Sequence, residues 1–324
     1  MSLRTHLPPA SRVRWLLPLA LLVSLPWVLG SAPAQQQQRM SRLRGCVIED
    51  QITGESAFLE QLAPTAARKV VARHEDSPIM NTQHLRRRVA PYDYDWGDLI
   101  DKEDKVRLLI DPESAYAIAA AAALNRSVDD EIIGAFFAVA FTGHAGSTSV
   151  TWPNGNAESV PTTPAGTQVA VNDWTYGNGS GNVGLTISKL ISAKVALDAA
   201  EGDDDEDRYI AIQAKQAGNL LATTEFTSSD YNTVRALVDG FNLGKPQSYM
   251  GFSFKHSERL QNNGSSQRRI PAWRKSGMGI GVAKDIWSQI APRPDKRFSI
   301  YVYAAMSLGA TRLEEAKLVE LICA

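Results

Sequence analysis

A few residue patterns in this sequence could support chemistry, and their spacing argues against catalysis. Asn178-Gly179-Ser180-Gly181-Asn182 partly resembles the turn that carries a nucleophilic serine, but no predicted strand clearly leads into it. Glu314 and Glu315 are adjacent on a predicted strand edge, which is not the geometry of an acid–base pair. The glycines of Gly277-Met278-Gly279-Ile280-Gly281 lie between two predicted strands, which favours a backbone crossing point over a phosphate-binding loop.

The spacing of the histidines, acidic residues and cysteines does not indicate metal or thiol chemistry either. The five histidines lie at His6, His74, His84, His144 and His256, and no two have the spacing of metal ligands. The acidic run Asp203–Asp207 lacks the ordered ligand spacing of a calcium loop and is predicted to be a solvated turn. Cys46 and Cys323 are too few and too far apart for a disulfide framework. We therefore predict no catalytic residues, no cofactor and no metal, which favours a binding or structural protein over an enzyme.

The composition is that of a folded globular protein. The chain has 324 residues, of which 44% are hydrophobic and 21% are charged, and this length can form two domains or one large one. The formal net charge is -1, which argues against a protein dedicated to nucleic-acid binding, because such proteins are normally basic.

The first 35 residues differ from the rest of the chain. Arg12 and Arg14 precede the apolar run Trp15–Gly30, and Ala32-Pro33-Ala34 follows, which is the pattern of a secretory signal. The run is short and contains two prolines, so it does not predict a membrane span. Two other interpretations are a start codon placed too far upstream, with Met40 closer to the true start, and a scar from gene rearrangement. We expect the signal-like segment not to be used.

The remaining pattern predicts a mixed α+β fold built around one long helix. Asp111-Pro112-Glu113 is a typical helix start, and the alanine-rich helix is predicted to run from 112 to 141, about 45 Å. Residues 143–181 predict a long polar loop. Thr186 can cap a second helix that ends near Gly202, and a short helix is predicted at 214–221. Strands are predicted at 78–80, 85–94, 209–212, 249–254, 270–273, 278–282, 298–304 and 318–322.

At six places, in order and at similar spacing, the sequence resembles the tailed-bacteriophage major capsid protein family with the Hong Kong 97-type fold. The resemblance extends from about Ser41 to Cys323. The matching segments are Arg73–Ile79, Tyr92–Asp101, Ile110–Pro112 with Ala122–Ile133, Tyr249–Phe254, Ala272–Met278, and Gly309–Glu315 with Leu318–Glu320.

This resemblance implies an architecture and a set of domain boundaries. The family has an N-terminal arm, a projecting β-hairpin called the E-loop, a peripheral domain built on a spine helix, and an axial domain. We expect a leader at 1–35, the arm at 36–55, the E-loop region at 56–98 and the peripheral domain at 99–181. The axial domain is expected at 182–297, and residues 298–324 are expected to return to the peripheral domain as strands.

The resemblance also implies a function in assembly. Copies of such a subunit form hexamers and pentamers of a shell in the virion, after assembly in the host cytoplasm. Portal and scaffold or cement proteins are the expected partners, double-stranded DNA is held by weak non-specific contact, and no membrane is involved. For the contact between subunits we predict the basic cluster Arg86, Arg87 and Arg88 on the E-loop. Its expected acidic partners are Asp93, Asp95, Asp98, Asp101, Glu103 and Asp104. Trp96, Trp273 and Trp287 are expected in the core rather than at a contact.

Two alternatives remain at this point. A secreted or periplasmic binding protein would account for the signal-like start, and cleavage after Ala34 would support it. A nanocompartment shell that encloses a protein cargo would share the fold, and only its contents or neighbouring genes would distinguish it from a phage shell.

Overall fold

The computed structural model describes residues 38–63, 65–73, 75–77, 79–101, 112–152, 168–177, 179–199, 205–222 and 248–324. The expected leader at 1–35 therefore lies outside the described residues. Three α-helices are present in this part of the chain: α1 (Pro112–Phe137), α2 (Ile187–Asp198) and α3 (Ala214–Leu221). The strands are β1 (Ile48–Gln51), β2 (Ala57–Leu62), β3 (His84–Val89), β4 (Tyr92–Ile100), β5 (Ala140–Thr142), β6 (Thr148–Val150), β7 (Gln168–Val169), β8 (Arg208–Ile212), β9 (Ser248–Tyr249), β10 (Phe252–His256), β11 (Arg268–Arg274), β12 (Met278–Arg293), β13 (Ser299–Arg312) and β14 (Leu318–Cys323). The predicted mixed α+β content is confirmed.

Helix α1 is the long helix that the sequence predicted, and it ends four residues early. Its buried stripe repeats every fourth residue, at Ala120, Leu124, Val128, Ile132 and Phe136, which is one face of a helix. The prediction of a helix to 141 was wrong because the chain turns after Phe137 and residues 140–142 pair as strand β5.

The end of α1 is fixed by a buried arginine. Arg312, fully buried in β13, donates from Nη1 to Phe136 O at 2.9 Å and also to Ala138 O, so its guanidinium satisfies carbonyls that the ending helix leaves free. Burial away from water lowers the pKa of Arg312, and the nearby Glu315 carboxylate opposes this shift.

The two shorter helices follow their sequence signals. The Thr186 hydroxyl accepts a hydrogen bond from Lys189 N and caps α2, as predicted. Helix α2 ends at Asp198, before the predicted stop at Gly202. Helix α3 occupies the predicted residues 214–221.

The first sheet, called here the long sheet, has the strand order β1-β12-β13-β4. Strands β12 and β13 form an antiparallel hairpin along their whole length, and β4 pairs antiparallel with β13. Helix α1 packs on one face of this sheet, over Val302, Ala304, Met306 and Leu308. The opposite face of the long sheet carries the alternate residues.

A second, six-stranded sheet has the order β7-β14-β11-β8-β10-β9. All six residues of β14 are buried, because the strand lies between β7 and β11 inside the sheet. The fully buried Glu320 accepts hydrogen bonds from Trp152 Nε1 at 2.7 Å and Gln168 Nε2 at 2.9 Å. These contacts place two described residues of the predicted polar loop 143–181, Trp152 and Gln168, in the core.

The strand pairing joins segments that were expected to lie in different domains. Strand β12 lies within the range expected for the axial domain, but it pairs with β13 and β1 in the long sheet. Strand β14 was expected to return with β13 to the peripheral domain, but it joins the six-stranded sheet. Short-range sequence patterns do not encode such long-range pairing. The division of the chain into named domains stays a prediction.

The third sheet, β2-β3-β5-β6, contains the hairpin of β2 and β3, whose connection is residues 63–83. The predicted single strand at 85–94 was wrong, because Ala90 and Pro91 separate β3 from β4 and the two strands enter different sheets. Residues 79 and 80 are not in a strand, so the strand predicted at 78–80 was wrong as well.

Glycines allow the base of this hairpin to lie on the long sheet. A Cβ at Gly279 would approach Leu59 to 2.8 Å, and a Cβ at Gly281 would approach Ile52 to 2.8 Å. A Cβ at Gly309 would collide with the carbonyl oxygen of Ala90. The hairpin base therefore covers this end of the sheet face opposite α1, while the face from Lys284 to Arg293 is not covered by it.

Candidate functional site

A small cavity lies in the described core, and two larger hollows lie on the long sheet. An interior cavity of about 10 Å³ lies among Leu43, Ile132 and Phe136, which is room for about one water molecule. Two larger hollows, of about 380 and 340 Å³, lie on the long sheet and share Tyr303. Within the described ranges, no group of three or more His, Cys, Asp or Glu side chains could hold a metal ion. The surfaces of the subunit are therefore the candidates for function.

The predicted basic cluster is held inside its own subunit. Arg87 donates from Nε to Leu313 O at 3.0 Å and pairs through Nη2 with Glu315 at 2.5 Å. The Arg88 guanidinium lies 4.7 Å from the centre of the Phe141 ring. Arg86 lies 5.3 Å from the Phe58 ring and 3.5 Å from Glu60. The structure therefore places Arg87 and Arg88 as supports of the hairpin base, and it brings none of the three against the predicted acidic residues.

The predicted acidic residues divide between the two faces of β4. Asp93 and Asp95 lie on the face opposite α1, beside Ser307 and Ala305 of β13. Asp98 lies on the other face of the strand, since side chains alternate along a strand. The Asp101 carboxylate accepts a hydrogen bond from Ser299 Oγ at 2.6 Å. Glu103 and Asp104 lie outside the described residues.

The face of β4 that meets α1 is occupied within the subunit. Tyr94 Oη donates to Glu131 Oε2 of α1 at 2.7 Å, and the Trp96 ring lies 6.4 Å from the ring of Tyr116. Burial, helped by the Glu131 carboxylate, raises the pKa of Tyr94 well above its ordinary value, so this hydroxyl remains a donor. This face serves packing, as expected for Trp96.

The opposite face, called here the open face, carries a row of aromatic side chains that sequence reasoning missed. Trp287 and Tyr303 meet edge to face with ring centres 5.6 Å apart, and Tyr303 stacks on Tyr301 at 6.0 Å. Lys284 Nζ lies 4.0 Å from the centre of the Trp287 ring, and Arg293 lies 5.2 Å from that of Tyr301.

The position of Trp287 corrects the expectation that it lies in the core. The strand pairing explains why the aromatic row was missed in the sequence. Trp273 is buried as expected, but Trp287 is half-buried on the open face. Two irregularities in the β12–β13 pairing, between Val282 and Trp287, let Lys284 and Trp287 both lie on this face. The period-two spacing of Tyr301 and Tyr303 was the one sequence signal that could have indicated an aromatic row.

The hairpin connection is the second unusual surface. Val70 is 72% exposed, Val71 is 88% exposed and Ile79 is 95% exposed. Large aliphatic side chains this exposed on one segment are typical of a surface that another molecule covers.

The comparison with protein families decides the identity of the chain. Residues 32–324 match the family model described as phage capsid protein. The chain belongs to the phage capsid protein family. No curated protein sequence matches this capsid protein significantly.

Solved structures of phage capsids share the fold of this capsid protein at low sequence identity. The capsid of Ralstonia phage GP4 matches with a TM-score of 0.62 and 8% identity, covering 97% of this chain and 98% of that chain. The capsid of cyanophage P-SCSP1u matches with a TM-score of 0.61 and 14% identity, covering 93% of each chain. The structure from Mycobacterium phage Che8 has a TM-score of 0.60 and 14% identity, covering 92% and 96%.

The Hong Kong 97-like fold that the sequence resemblance predicted is therefore confirmed. Among the described helices of the capsid protein, none combines the length and the apolar character needed to cross a membrane.

Proposed function

We propose that this chain is the major capsid protein of a tailed phage or prophage, and that its copies assemble into an icosahedral shell around double-stranded DNA. The observation that carries the proposal is a pair of uncovered surfaces on one capsid-family chain. One is the hairpin connection with its exposed Val71 and Ile79, and the other is the open face with Trp287 and Tyr303. Both surfaces lose unfavourable apolar exposure when copies lie against one another.

The proposed contact between subunits is heterologous, because two different surfaces of the same chain meet. Such contacts repeat from copy to copy and close into rings when the rotation between copies allows it. Hexamers and pentamers are the rings that a shell of this family requires. Of the predicted interface residues, Asp93 and Asp95 stay in the proposal, because both are exposed on the open face. Arg87 is left out of the proposed contact, because its side chain already pairs with residues of its own subunit.

The other partners follow from the same role. Portal and scaffold or cement proteins would complete the shell, and assembly would take place in the host cytoplasm. The net charge of -1 supports weak, non-specific contact with the packaged DNA rather than tight binding. Membership of a capsid family supports a structural role without catalysis.

The test is expression from Met40, with and without a scaffold protein, followed by negative-stain electron microscopy. We expect closed particles of uniform size. A monodisperse monomer under every assembly condition would contradict the proposal.

A pair of variants makes this test specific. Val71→Asp places a charge on the hairpin connection, and Val195→Asp places the same charge on an exposed position of α2. Both side chains face solvent in the free subunit, so both variants should fold. We expect Val71→Asp to abolish particles while Val195→Asp still forms them, and equal assembly of the two would argue against the hairpin connection as a contact.

A further inference from the structure

The larger hollow on the open face has the chemistry of a site for a cation. It has a volume of about 380 Å³, and its lining includes Asp93, Asp95, Lys284, Trp287 and Tyr303. Within the described residues, neither carboxylate forms an ion pair, and Lys284 lies over the Trp287 ring rather than against a carboxylate. Two carboxylates and one ammonium leave the hollow with one uncompensated negative charge.

Aromatic faces beside carboxylates bind one class of side chain well. The face of a tryptophan or tyrosine ring attracts a cation, and a carboxylate forms charge-assisted hydrogen bonds to the same group. A guanidinium fits best, because its plane stacks on a ring while its edge pairs with a carboxylate. The hollow therefore selects an arginine side chain over an acidic or a purely apolar one.

The hairpin connection carries a free arginine next to its apolar residues. Arg68 pairs with Glu75. Arg73 and Lys69 are exposed, and neither forms an ion pair within the described part of the chain. Arg73 lies two residues after Val71, so a segment that lays these valines on the aromatic row brings a guanidinium close to the same face.

We propose that the hollow formed by Asp93, Asp95 and Trp287 binds the Arg73 guanidinium of a second copy of this chain. This inference rests on the proposed function and names the contact that joins one copy to the next. Arg73 replaces Lys284 as the cation over Trp287, and Lys284 is released toward solvent. The contact is polar at its centre and apolar at its side, where Val70 and Val71 cover Tyr303 and Tyr301.

The test is a charge exchange in the full chain, read by light scattering and electron microscopy. Arg73→Asp alone and Asp95→Arg alone should each raise the protein concentration needed for half-assembly about tenfold or more. The double variant should recover most of this loss. Asp98→Arg is the matched control, because it makes the same charge change on the same strand but on the other face. It should neither reproduce the loss nor rescue Arg73→Asp.

A crosslink separates failure of this inference from failure of the proposed function. Arg73→Cys combined with Ser307→Cys should give chains linked through disulfides after oxidation, because Ser307 lines the hollow and both native cysteines are buried. Particles that form without this crosslink and without rescue by charge exchange would overturn the contact and leave the shell function standing. Rescue of Asp95→Arg by Lys69→Asp instead of Arg73→Asp would overturn the assignment of Arg73.

Discussion

The hydroxyl of Ser41 donates a hydrogen bond of 2.6 Å to the carboxylate of Asp129, which is fully buried in the middle of α1. The backbone amides of Arg42 and Leu43 donate to the same carboxylate at 3.1 Å. The segment that precedes β1 therefore folds around one acidic side chain of the long helix. This segment is what covers Asp129 from solvent.

Replacing Asp129 should release this segment from the helix. Asp129→Ala leaves one hydroxyl, two backbone amides and the side-chain amide of Gln38 without their acceptor, and we expect a loss of about 2 kcal/mol in the free energy of unfolding. Chemical denaturation measures the loss, and faster hydrogen exchange at residues 42 and 43 should accompany it. Asp130→Ala is the control, because Asp130 is a partly exposed residue that pairs with Arg259 at the surface. Equal losses for the two variants would contradict the proposed role of Asp129.

Arg87 should matter more for stability than its neighbour Arg86. Arg87→Ala removes a bond to Leu313 O and an ion pair with Glu315, both partly buried, and should lower the free energy of unfolding by about 1–3 kcal/mol. Arg86→Ala removes weaker contacts, namely a long pair with Glu60, an exposed 3.4 Å hydrogen bond to His144 O and a contact with the Phe58 ring, and should change this free energy by less than about 1 kcal/mol. Thermal unfolding of the two variants side by side provides the comparison. A larger effect of Arg86→Ala would show that the hairpin base is held differently.

Gly309 should not tolerate a side chain. A Cβ at this position collides with the backbone carbonyl of Ala90, and backbone atoms cannot move aside as a flexible side chain can. Gly309→Ala should therefore lower stability by about 1–3 kcal/mol. Gly45→Ala is the matched control, because nothing lies within 4 Å of its Cβ position. Denaturant midpoints measure both, and unchanged stability of Gly309→Ala would mean that the chain at Ala90 is not packed against β13.

Alkaline pH should weaken the fold through Cys323. Burial raises the pKa of this thiol from 9.0 to about 11, so the folded protein keeps the proton more tightly than the unfolded chain does. Its contribution is complete below about pH 9 and is lost as the pH rises toward 11, because only the unfolded chain ionises readily in that window. The free energy of unfolding should fall by up to about 1.4 kcal/mol per pH unit there. Cys323→Ala should flatten this slope, and an unchanged slope would assign it to other groups.

Local structure was largely predictable from the sequence, while the pairing of distant strands was not. The Pro112 start of α1, the Thr186 cap and helix α3 follow from short-range capping and periodicity. By contrast, the sequence of β14 predicts only that it is a strand. Nothing in its six residues distinguishes pairing with β11 from pairing with β13. That choice depends on donors to Glu320 that lie more than a hundred residues away along the chain.

The candidate site was predictable only in part, for a related reason. Asp93 and Asp95 were among the acidic residues expected at the contact, and their alternate positions on β4 place both on the open face. Their role in a contact stays a prediction. Trp287 was assigned to the core because a lone tryptophan is usually buried, and the irregular pairing of β12 that brings it to the open face has no clear sequence signal. The internal pairing of Arg87 could not be predicted, because a run of three arginines gives no indication that a glutamate on a distant turn will pair with one of them.

The hydrogen bonds from Arg312 to the carbonyls at the end of α1 restrict how this helix can move. One end of this rod is anchored to β13, so it cannot slide along the sheet or rewind by a turn without breaking buried hydrogen bonds. The alanine-rich beginning of the helix has smaller side chains and more open surroundings, with Ile118 facing solvent. If a lattice of these subunits changes its curvature, the flexing will be concentrated in that first half, while the anchored half moves as a rigid piece.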